Sequence, residues 1–224
     1  MQLFLLTKYL FFVPEYICVL KCDIKKFFAS IDHKILLNIL YEYIPDKNII
    51  WLLDNIIGSF CTNAEPPLTP PWKGGESYGL PLGNLTSQLF SNIYMNKLDQ
   101  HIKHKLKAKY YIRYADDFVI LSQDKKWLEN LIPQIQVFLQ KELKLTLHPN
   151  KVFIKTYASR VDFLGWNNFC DHRILRRKTK ERMFRRIKAN PTNETLQSYL
   201  GLLRHGNTKK VREGLIMRYW LRSN

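Results

Sequence analysis

The sequence has no cysteine arrangement typical of a zinc site or of a disulfide framework. Its four cysteines, Cys18, Cys22, Cys61 and Cys170, form no CxxC pair and have no histidine cluster beside them. Proteins that depend on structural zinc or on disulfides normally show such spacings. We therefore expect reduced thiols and a cytoplasmic protein.

A secretory signal and a membrane span are also lacking. The opening MQLFLLTKYLFFVPEYICVL is apolar, but it has no basic leading segment and no small-residue cleavage site. Pro14 and Glu15 interrupt it before it reaches the ~20 apolar residues that a spanning helix needs. We expect this stretch to belong to a domain core, and we expect no membrane partner.

Acidic residues are scarce, and the resulting charge is uneven. The chain has 19 Asp and Glu against 35 Lys and Arg, a net charge of +16. Residues 171–224 contain 15 basic and 4 acidic side chains, so they supply +11 of this total. Such an excess favours a polyanionic partner, most often nucleic acid, along the C-terminal end. A solvated basic face is the alternative.

The remaining composition predicts a folded chain of one large domain or two small ones, with 46% hydrophobic and 13% aromatic residues. A run rich in proline and glycine at 62–79 predicts a loop. The helix predicted at 47–60 should turn one apolar stripe inward: Ile49, Ile50, Leu53, Ile56, Ile57 and Phe60. Apolar periodicity predicts the other elements: strands at 16–24, 109–114, 118–122, 152–154 and 161–164, and helices at 33–44, 87–106, 127–139 (with a start delayed by Pro133), 179–188 and 192–204 (closed by Gly206).

Three aspartates stand where apolar strands end. Asp23 closes the first strand, and Asp116 and Asp117 form the tip of a hairpin 93 and 94 residues later. Carboxylates in such places are costly unless a cation compensates them. Phosphoryl transfer from a nucleoside triphosphate uses two Mg²⁺ ions, each held by few protein carboxylates. A solvated turn is the alternative for an Asp-Asp pair that stands alone.

Four segments in chain order carry a family resemblance: DIKKFF at 23–28, LPLGNLTSQ at 80–88, YADD at 114–117 and VDFLGW at 161–166. With them, residues 19–166 resemble the reverse transcriptases, which are RNA-directed DNA polymerases. Each segment alone is a weak signal, whereas all of them in this order are highly specific. The resemblance implies an α+β fold: a remnant of the fingers region at 1–18, a palm with an antiparallel sheet backed by helices at 19–169, and a basic, helical, thumb-like region at 170–224.

The resemblance also implies roles for single residues. Asp23, Asp116 and Asp117 would hold two Mg²⁺ ions (or Mn²⁺), with Asp117 as the weaker ligand. Lys151 would act as general acid towards the leaving pyrophosphate, although a surface lysine is the alternative. The incoming dNTP would be bound by Ile24, Lys25, Lys26, Phe27, Phe28, Leu82, Gly83 and Gln88.

Phe28 matches the steric gate of this family, an aromatic ring that leaves no room for a ribose 2′-hydroxyl. A core phenylalanine is the alternative for Phe28. Its neighbour Phe27 is the better candidate for the core, because adjacent strand residues face opposite sides.

The LPLGNLTSQ segment departs from the commoner form, which has Gln in place of Leu82 and Pro in place of Gln88. The LGxxxSQ form resembles the reverse transcriptases of diversity-generating retroelements, which rewrite a gene region with substitutions at template adenines. Because Leu82 cannot hydrogen-bond, a looser hold on the nascent base pair would suit an error-prone enzyme. The alternative is that Leu82 only fills space.

Two regions match nucleic-acid contacts of the family. Phe163, Leu164, Gly165 and Trp166 match the primer grip, where Gly165 would allow a close approach of the backbone to the primer. The expected partners are an RNA template, a DNA primer and dNTPs. Phosphate contacts would come from basic residues of the thumb-like region: Arg176, Arg177, Lys178, Lys180, Arg185 and Arg186.

A fingers region with a basic clamp normally precedes the first palm aspartate in this family. Here 22 residues precede Asp23, and Lys8 and Lys21 are their only basic residues. Three interpretations are open: a truncated gene, an incompletely assembled gene, or a chain whose fingers are supplied by an accessory protein or a second chain. Two other hypotheses are a nucleic-acid-binding remnant without turnover and a group II intron reverse transcriptase. The LGxxxSQ form and the early end of the chain argue against the group II intron type.

Overall fold

The computed structural model describes residues 17–60, 77–169 and 172–223. Most of the predicted fingers remnant, most of the loop predicted at 62–79, and Cys61 and Cys170 lie outside these ranges. The chain divides into two compact units, one of residues 20–154 and one of residues 1–19 with 155–224. The division into palm and thumb at residue 169 stays a prediction.

The first unit is built around a four-stranded sheet with the order β2-β3-β1-β4. Strands β2 and β3 are antiparallel, and their last cross-strand pair is Tyr114 with Asp117. The strand bounds are Cys18–Asp23 for β1, Tyr110–Tyr114 for β2, Asp117–Ser122 for β3 and Phe153–Thr156 for β4. Because β1 and β3 are neighbours, the predicted aspartates come from adjacent strands.

Helices accompany this sheet, and three of them begin at an aspartate cap. Asp32, Asp46 and Asp124 each accept hydrogen bonds from backbone N–H groups of the following turn. The helices are α1 Phe27–Ser30, α2 His33–Tyr43, α3 Lys47–Gly58, α4 Leu85–Gln100, which continues as a π-helical turn over His101–Lys105, and α5 Lys125–Leu143.

Two details of these helices correct the sequence prediction. Pro133 lies inside α5 and does not delay its start, because the Asp124 cap fixes the first turn and five leucine and isoleucine side chains of the helix are buried. In α3 only Ile50 and Ile57 are buried, whereas Ile49 and Ile56 are 47% and 38% exposed. The apolar stripe predicted for this helix is therefore wider than the face that packs against the rest of the unit.

The second unit combines an antiparallel sheet of β5 Val161–Phe163, β6 Trp166–Asn168 and β7 Arg173–Leu175 with three helices. The helices are α6 Arg177–Ala189, α7 Asn193–Leu203 and α8 Lys209–Ser223. Trp166 packs in its core with apolar side chains from all three helices. Strands β6 and β7 and helix α8 were not predicted.

Gly206 has a different role from the helix cap predicted for it. Its φ lies outside the left-handed region, whereas Gly79, Gly83 and Gly165 are in it. A Cβ at position 206 would lie 2.3 Å from the Trp166 ring and 2.9 Å from the Arg173 carbonyl. Close packing against Trp166 therefore requires glycine here. No helix in the described part of the chain is long and apolar enough to cross a membrane.

Candidate active site

Asp23 closes β1 and is held from two directions. Its backbone carbonyl accepts a hydrogen bond from His148 N at 2.8 Å, while Lys25 N donates to the Thr146 carbonyl at 2.9 Å. These bonds lay the segment 146–151 beside the end of β1. As a result, Lys151 Nζ lies 3.0 and 3.1 Å from the two carboxylate oxygens of Asp23. The structure thus brings together two predicted site residues that are 128 positions apart.

The hairpin of β2 and β3 carries the other two aspartates. Ala115, at the turn, has a positive φ of 52°, so the chain reverses tightly and Asp116 stands at the tip. Asp117, the first residue of β3, places Oδ2 3.1 Å from Lys21 Nζ of β1. Its other oxygen, Oδ1, is buried and has no hydrogen-bond partner among the described residues.

The three carboxylates interact electrostatically. Burial raises the pKa of Asp116, and the neighbouring Asp23 raises it further, against the opposing charges of Lys151 and Lys21. Burial also raises the pKa of Asp117 to about 6; Lys21 opposes this shift, while Asp23 and Asp116 add to it. Mutual repulsion of this kind is expected where acids converge on a cation site.

The donor set suits hard divalent cations. Carboxylate oxygens are the ligands that Mg²⁺ prefers, and the buried, unpaired Oδ1 of Asp117 is an acceptor that a cation would satisfy. Within the described ranges, no group of three or more His, Cys, Asp or Glu side chains is arranged to hold a metal ion. Ligands from outside the protein, such as waters and substrate phosphates, would therefore have to complete the shell, which is usual for Mg²⁺. The fit of Asp23, Asp116 and Asp117 to such a cation therefore rests on their donor type and on the unpaired Oδ1 of Asp117.

An arginine with a largely buried side chain anchors the hairpin that carries Asp116, and no sequence pattern predicted this role. Arg113 of β2 donates two hydrogen bonds to Asp99 of α4, at 2.7 and 2.6 Å, and a third to the Ala115 carbonyl at 3.1 Å. Tyr111 also donates its hydroxyl to Asp99, at 2.7 Å. This network fixes the turn that presents Asp116.

The segment after Asp23 forms a short helix where a strand was expected. Lys26 has a positive φ of 48° and precedes α1, so Phe27 and Phe28 lie on a helical turn. Phe27 is 2% exposed and belongs to the core, as predicted, although the strand alternation used to reach that conclusion was wrong. Phe28 is half-buried, with its ring 5.2 Å from that of Phe27. Ile24 is buried, whereas Lys25 and Lys26 are exposed.

The LPLG segment is joined to this region by backbone hydrogen bonds. Leu80 N donates to the Phe28 carbonyl and Gly79 N to the Ile31 carbonyl, both at 2.8 Å. The His33 ring, through Nε2, hydrogen-bonds the Gly79 carbonyl at 2.6 Å. The two motifs predicted to bind the dNTP thus meet beside Phe28.

The side chains that follow Leu80 lie at the surface. Leu82 is 79% exposed, and Gln88, in the first turn of α4, is also exposed. Gly83 has a positive φ of 95° with open space around it. These three predicted residues are therefore accessible to a substrate.

In the second unit, the predicted primer grip is a tight hairpin turn. Leu164 and Gly165 both have positive φ, 52° and 81°, and connect the paired residues Phe163 and Trp166. The Phe163 and Trp166 side chains are each 2% exposed, so they serve the core. Any contact with a primer is left to the backbone and to Leu164. A Cβ at position 165 would lie 3.2 Å from Thr179 Oγ1, so packing also favours glycine.

The predicted phosphate-binding residues differ in their surroundings. Arg176 precedes α6 and pairs with Asp162 at 3.0 Å, and Arg177 pairs with Glu181 at 2.8 Å. The remainder of α6 is amphipathic, with Met183 buried among apolar side chains. Its exposed basic face contains four predicted residues, Lys178, Lys180, Arg185 and Arg186, and two that were not singled out, Arg182 and Lys188.

Comparison with known proteins decides the family. The sequence profile described as "Reverse transcriptase (RNA-dependent DNA polymerase)" matches residues 4–168, which is most of the chain. The chain belongs to the reverse transcriptase family. This reverse transcriptase is 24% identical over 227 residues to the group II intron-encoded protein LtrA of Lactococcus lactis, covering 71% of this chain and 35% of LtrA. It is also 22% identical over 203 residues to the putative COX1/OXI3 intron 2 protein of Saccharomyces cerevisiae, covering 66% of this chain and 23% of that protein.

A solved structure shows the same fold. Telomerase from Candida albicans, in complex with a TWJ fragment of telomeric RNA, superposes with a TM-score of 0.54 at 15% identity. The match covers 96% of this chain and 41% of the telomerase chain. This reverse transcriptase therefore spans 23% to 41% of the length of these three relatives, and its α+β polymerase fold is confirmed.

Proposed function

We propose that this chain carries the catalytic palm of an RNA-directed DNA polymerase that extends a DNA primer with dNTPs by two-metal catalysis. One observation supports it most: Asp23 ends β1, and Asp117 begins the neighbouring strand β3 directly after Asp116 at the hairpin tip. Lys151 lies 3.0 Å from Asp23. Carboxylates at adjacent strand ends with a lysine beside them suit nucleotidyl transfer.

The chemistry divides between these groups. When bound, two Mg²⁺ ions would activate the primer 3′-hydroxyl and neutralise the leaving pyrophosphate, held by Asp23 and Asp116 with Asp117 as the weaker ligand. In the reaction the primer 3′-hydroxyl loses its proton to solvent and its oxygen bonds to the α-phosphorus. The bond between the α-phosphorus and the oxygen that bridges to the β-phosphate breaks, and pyrophosphate leaves. Lys151 Nζ, 53% exposed at the side-chain level, donates a proton to the departing pyrophosphate.

The dNTP lies along the Ile24–Phe28 backbone, opposite the exposed Leu82 and Gly83. Phe28 is only half-buried, so its ring can lie beneath the sugar, whereas Phe27 cannot. The ring then fills the space of a ribose 2′-hydroxyl and selects deoxynucleotides. The exposed basic face of α6 supplies sequence-independent contacts to the phosphates of the RNA–DNA duplex.

A primer-extension assay on an RNA template tests the activity. The 224-residue chain should incorporate dNTPs in the presence of Mg²⁺ and should prefer dGTP to GTP. The chain could instead bind the duplex and incorporate no nucleotide, even after a fingers-containing fragment is added. That result would support the hypothesis of a nucleic-acid-binding remnant without turnover. Extension only after that addition supports a second chain that supplies the fingers.

Within this family we favour the error-prone, diversity-generating type. Leu82 is 79% exposed and offers no hydrogen bond where the commoner form has Gln. Discrimination against mismatched base pairs should therefore be weaker. The similarity to intron-encoded proteins favours the alternative, a group II intron reverse transcriptase.

Sequencing the cDNA separates these two candidates. The diversity-generating type should misincorporate mainly opposite template adenines, and Leu82→Gln should reduce this error rate several-fold. Leu89→Gln, at another exposed leucine outside the motif, is the matched control and should leave the error rate unchanged. An even, low error rate in the unchanged chain would support the intron type.

A further inference from the structure

Lys21 is a largely enclosed cation within the four-stranded sheet. It stands on β1, two residues before Asp23, and its Nζ lies 3.1 Å from Oδ2 of Asp117 on the neighbouring strand β3. The two side chains are 14% and 21% exposed. The sequence analysis assigned Lys21 no role and counted it only among the basic residues before Asp23.

We propose that Lys21 is a positioning residue of the metal site: a built-in counter-ion that holds Asp117 and sets how tightly the site binds divalent cations. This inference rests on the proposed function, because it concerns the cations of that reaction. In this proposal Oδ2 of Asp117 stays paired with Lys21, and only Oδ1 remains to bind a cation.

The two lysines beside the aspartates differ in exposure, and this difference supports the assignment. Lys151 reaches Asp23 with 53% of its side chain exposed, so it can swing into solvent when a cation arrives. Lys21 is largely enclosed, and moving its ammonium away from Asp117 would remove the paired cation from a carboxylate side chain that is only 21% exposed. Lys21 therefore stays in place while cations bind and leave.

A fixed positive charge beside the site has two opposite effects. It repels an incoming cation, which weakens binding. It also relieves the repulsion among Asp23, Asp116 and Asp117, which keeps the three carboxylates together before the cation arrives. Removing the charge should therefore tighten cation binding and destabilise the protein when no cation is present.

The test is Mn²⁺ binding to the full chain, measured by isothermal titration calorimetry and by electron paramagnetic resonance of free Mn²⁺. Lys21→Gln should bind Mn²⁺ about tenfold more tightly than wild type. Its melting temperature without Mn²⁺ should be lower, and Mn²⁺ should raise it by more than in wild type. Lys21→Arg keeps the charge and should restore wild-type affinity. Unchanged or weaker binding in Lys21→Gln would overturn the proposal.

Two further variants separate charge from packing. In Lys21→Gln/Asp117→Asn both charges of the pair are removed and an amide pair replaces them, so Mn²⁺ affinity should return close to wild type. This double variant also keeps the proposal testable if the single variant folds poorly. Lys97→Gln is the matched control, because it breaks another lysine–carboxylate pair in the same unit, with Glu42 at 2.6 Å. An equal gain of affinity in Lys97→Gln would show a general charge effect and overturn the proposal.

Asp116→Asn distinguishes failure of this inference from failure of the proposed function. If Asp116→Asn leaves Mn²⁺ binding unchanged, the metal site itself is wrong. If Asp116→Asn weakens binding but Lys21→Gln does not tighten it, the metal site stands and only the role of Lys21 is rejected.

Discussion

Arg113 and Asp99 form a two-pronged ion pair, with Nε to Oδ1 at 2.7 Å and Nη2 to Oδ2 at 2.6 Å. Only 8% of the Arg113 side chain is exposed. The same guanidinium donates to the Ala115 carbonyl, one residue before Asp116, so the pair connects α4 to the catalytic turn. Charge alone would not supply this geometry, because a lysine cannot make the fork of parallel bonds.

We expect Arg113→Lys to fold but to lose activity, since the turn that presents Asp116 is no longer held. The loss should fall on kcat, by about tenfold or more, with little change in KM for dNTP. Arg113→Gln leaves Asp99 without its charged partner and should lower the free energy of unfolding by about 3 kcal/mol. Urea unfolding and steady-state primer extension measure both effects. An Arg113→Lys variant with wild-type kcat would contradict the anchoring role.

Phe28→Val should admit ribonucleotides, because the ring no longer fills the space of the 2′-hydroxyl. Incorporation of GTP relative to dGTP should rise by on the order of a hundredfold, measured as the ratio of kcat/KM values. Phe27→Val is the matched control: the same change at a buried neighbour should reduce stability and leave sugar discrimination unchanged. If Phe27→Val admitted ribonucleotides and Phe28→Val did not, the steric gate would be Phe27.

His33 should make stability depend on pH. Burial lowers the pKa of its ring, whose Nε2 hydrogen-bonds the Gly79 carbonyl at 2.6 Å. With a folded-state pKa below the unfolded value of about 6.5, the unfolded chain takes up the proton first as pH falls. The contribution of His33 to the free energy of unfolding is therefore present above about pH 6.5, and it is lost as the pH drops below that value.

We expect His33→Gln to remove this component, because an amide can donate to Gly79 at any pH. The measurement is the difference in unfolding free energy between wild type and variant from about pH 7 to pH 5. A difference is needed because Asp116 and Asp117, whose pKa values are raised, contribute with the opposite sign. His104→Gln, at an exposed histidine of the same unit, is the control. A constant difference across this range would reject the role of His33.

The main part of the candidate site could be located from the sequence because its signals are local. Asp23 closes an apolar strand, and the YADD hairpin has a turn between two β-rich runs, so both positions follow from patterns of a few residues. Lys151 was placed through the resemblance, and the structure puts it against Asp23.

The positions that were missed depend on contacts across the fold. Lys21 meets Asp117 because β1 and β3 are neighbours, and Arg113 meets Asp99 because α4 lies against β2; no spacing rule encodes either contact. Strands β6 and β7 have three residues each, which is too short for a periodic signal. Helix α8 exposes Met217, Trp220 and Leu221, which blurs the apolar stripe that would have predicted it.

The central claim is that Asp23 and Asp116 carry the chemistry, and single-turnover primer extension tests it most directly. A preformed RNA–DNA duplex is mixed with dGTP and Mg²⁺, and extension is followed for wild type, Asp23→Asn and Asp116→Asn. Asp54→Asn, at an exposed carboxylate outside the metal site, is the comparison. Duplex affinity is measured in parallel by fluorescence anisotropy. Both site variants should bind the duplex as wild type does and lose at least a thousandfold in extension rate, on the scale of losing a metal that supplies several kcal/mol. Extension by either variant at the wild-type rate would contradict the account.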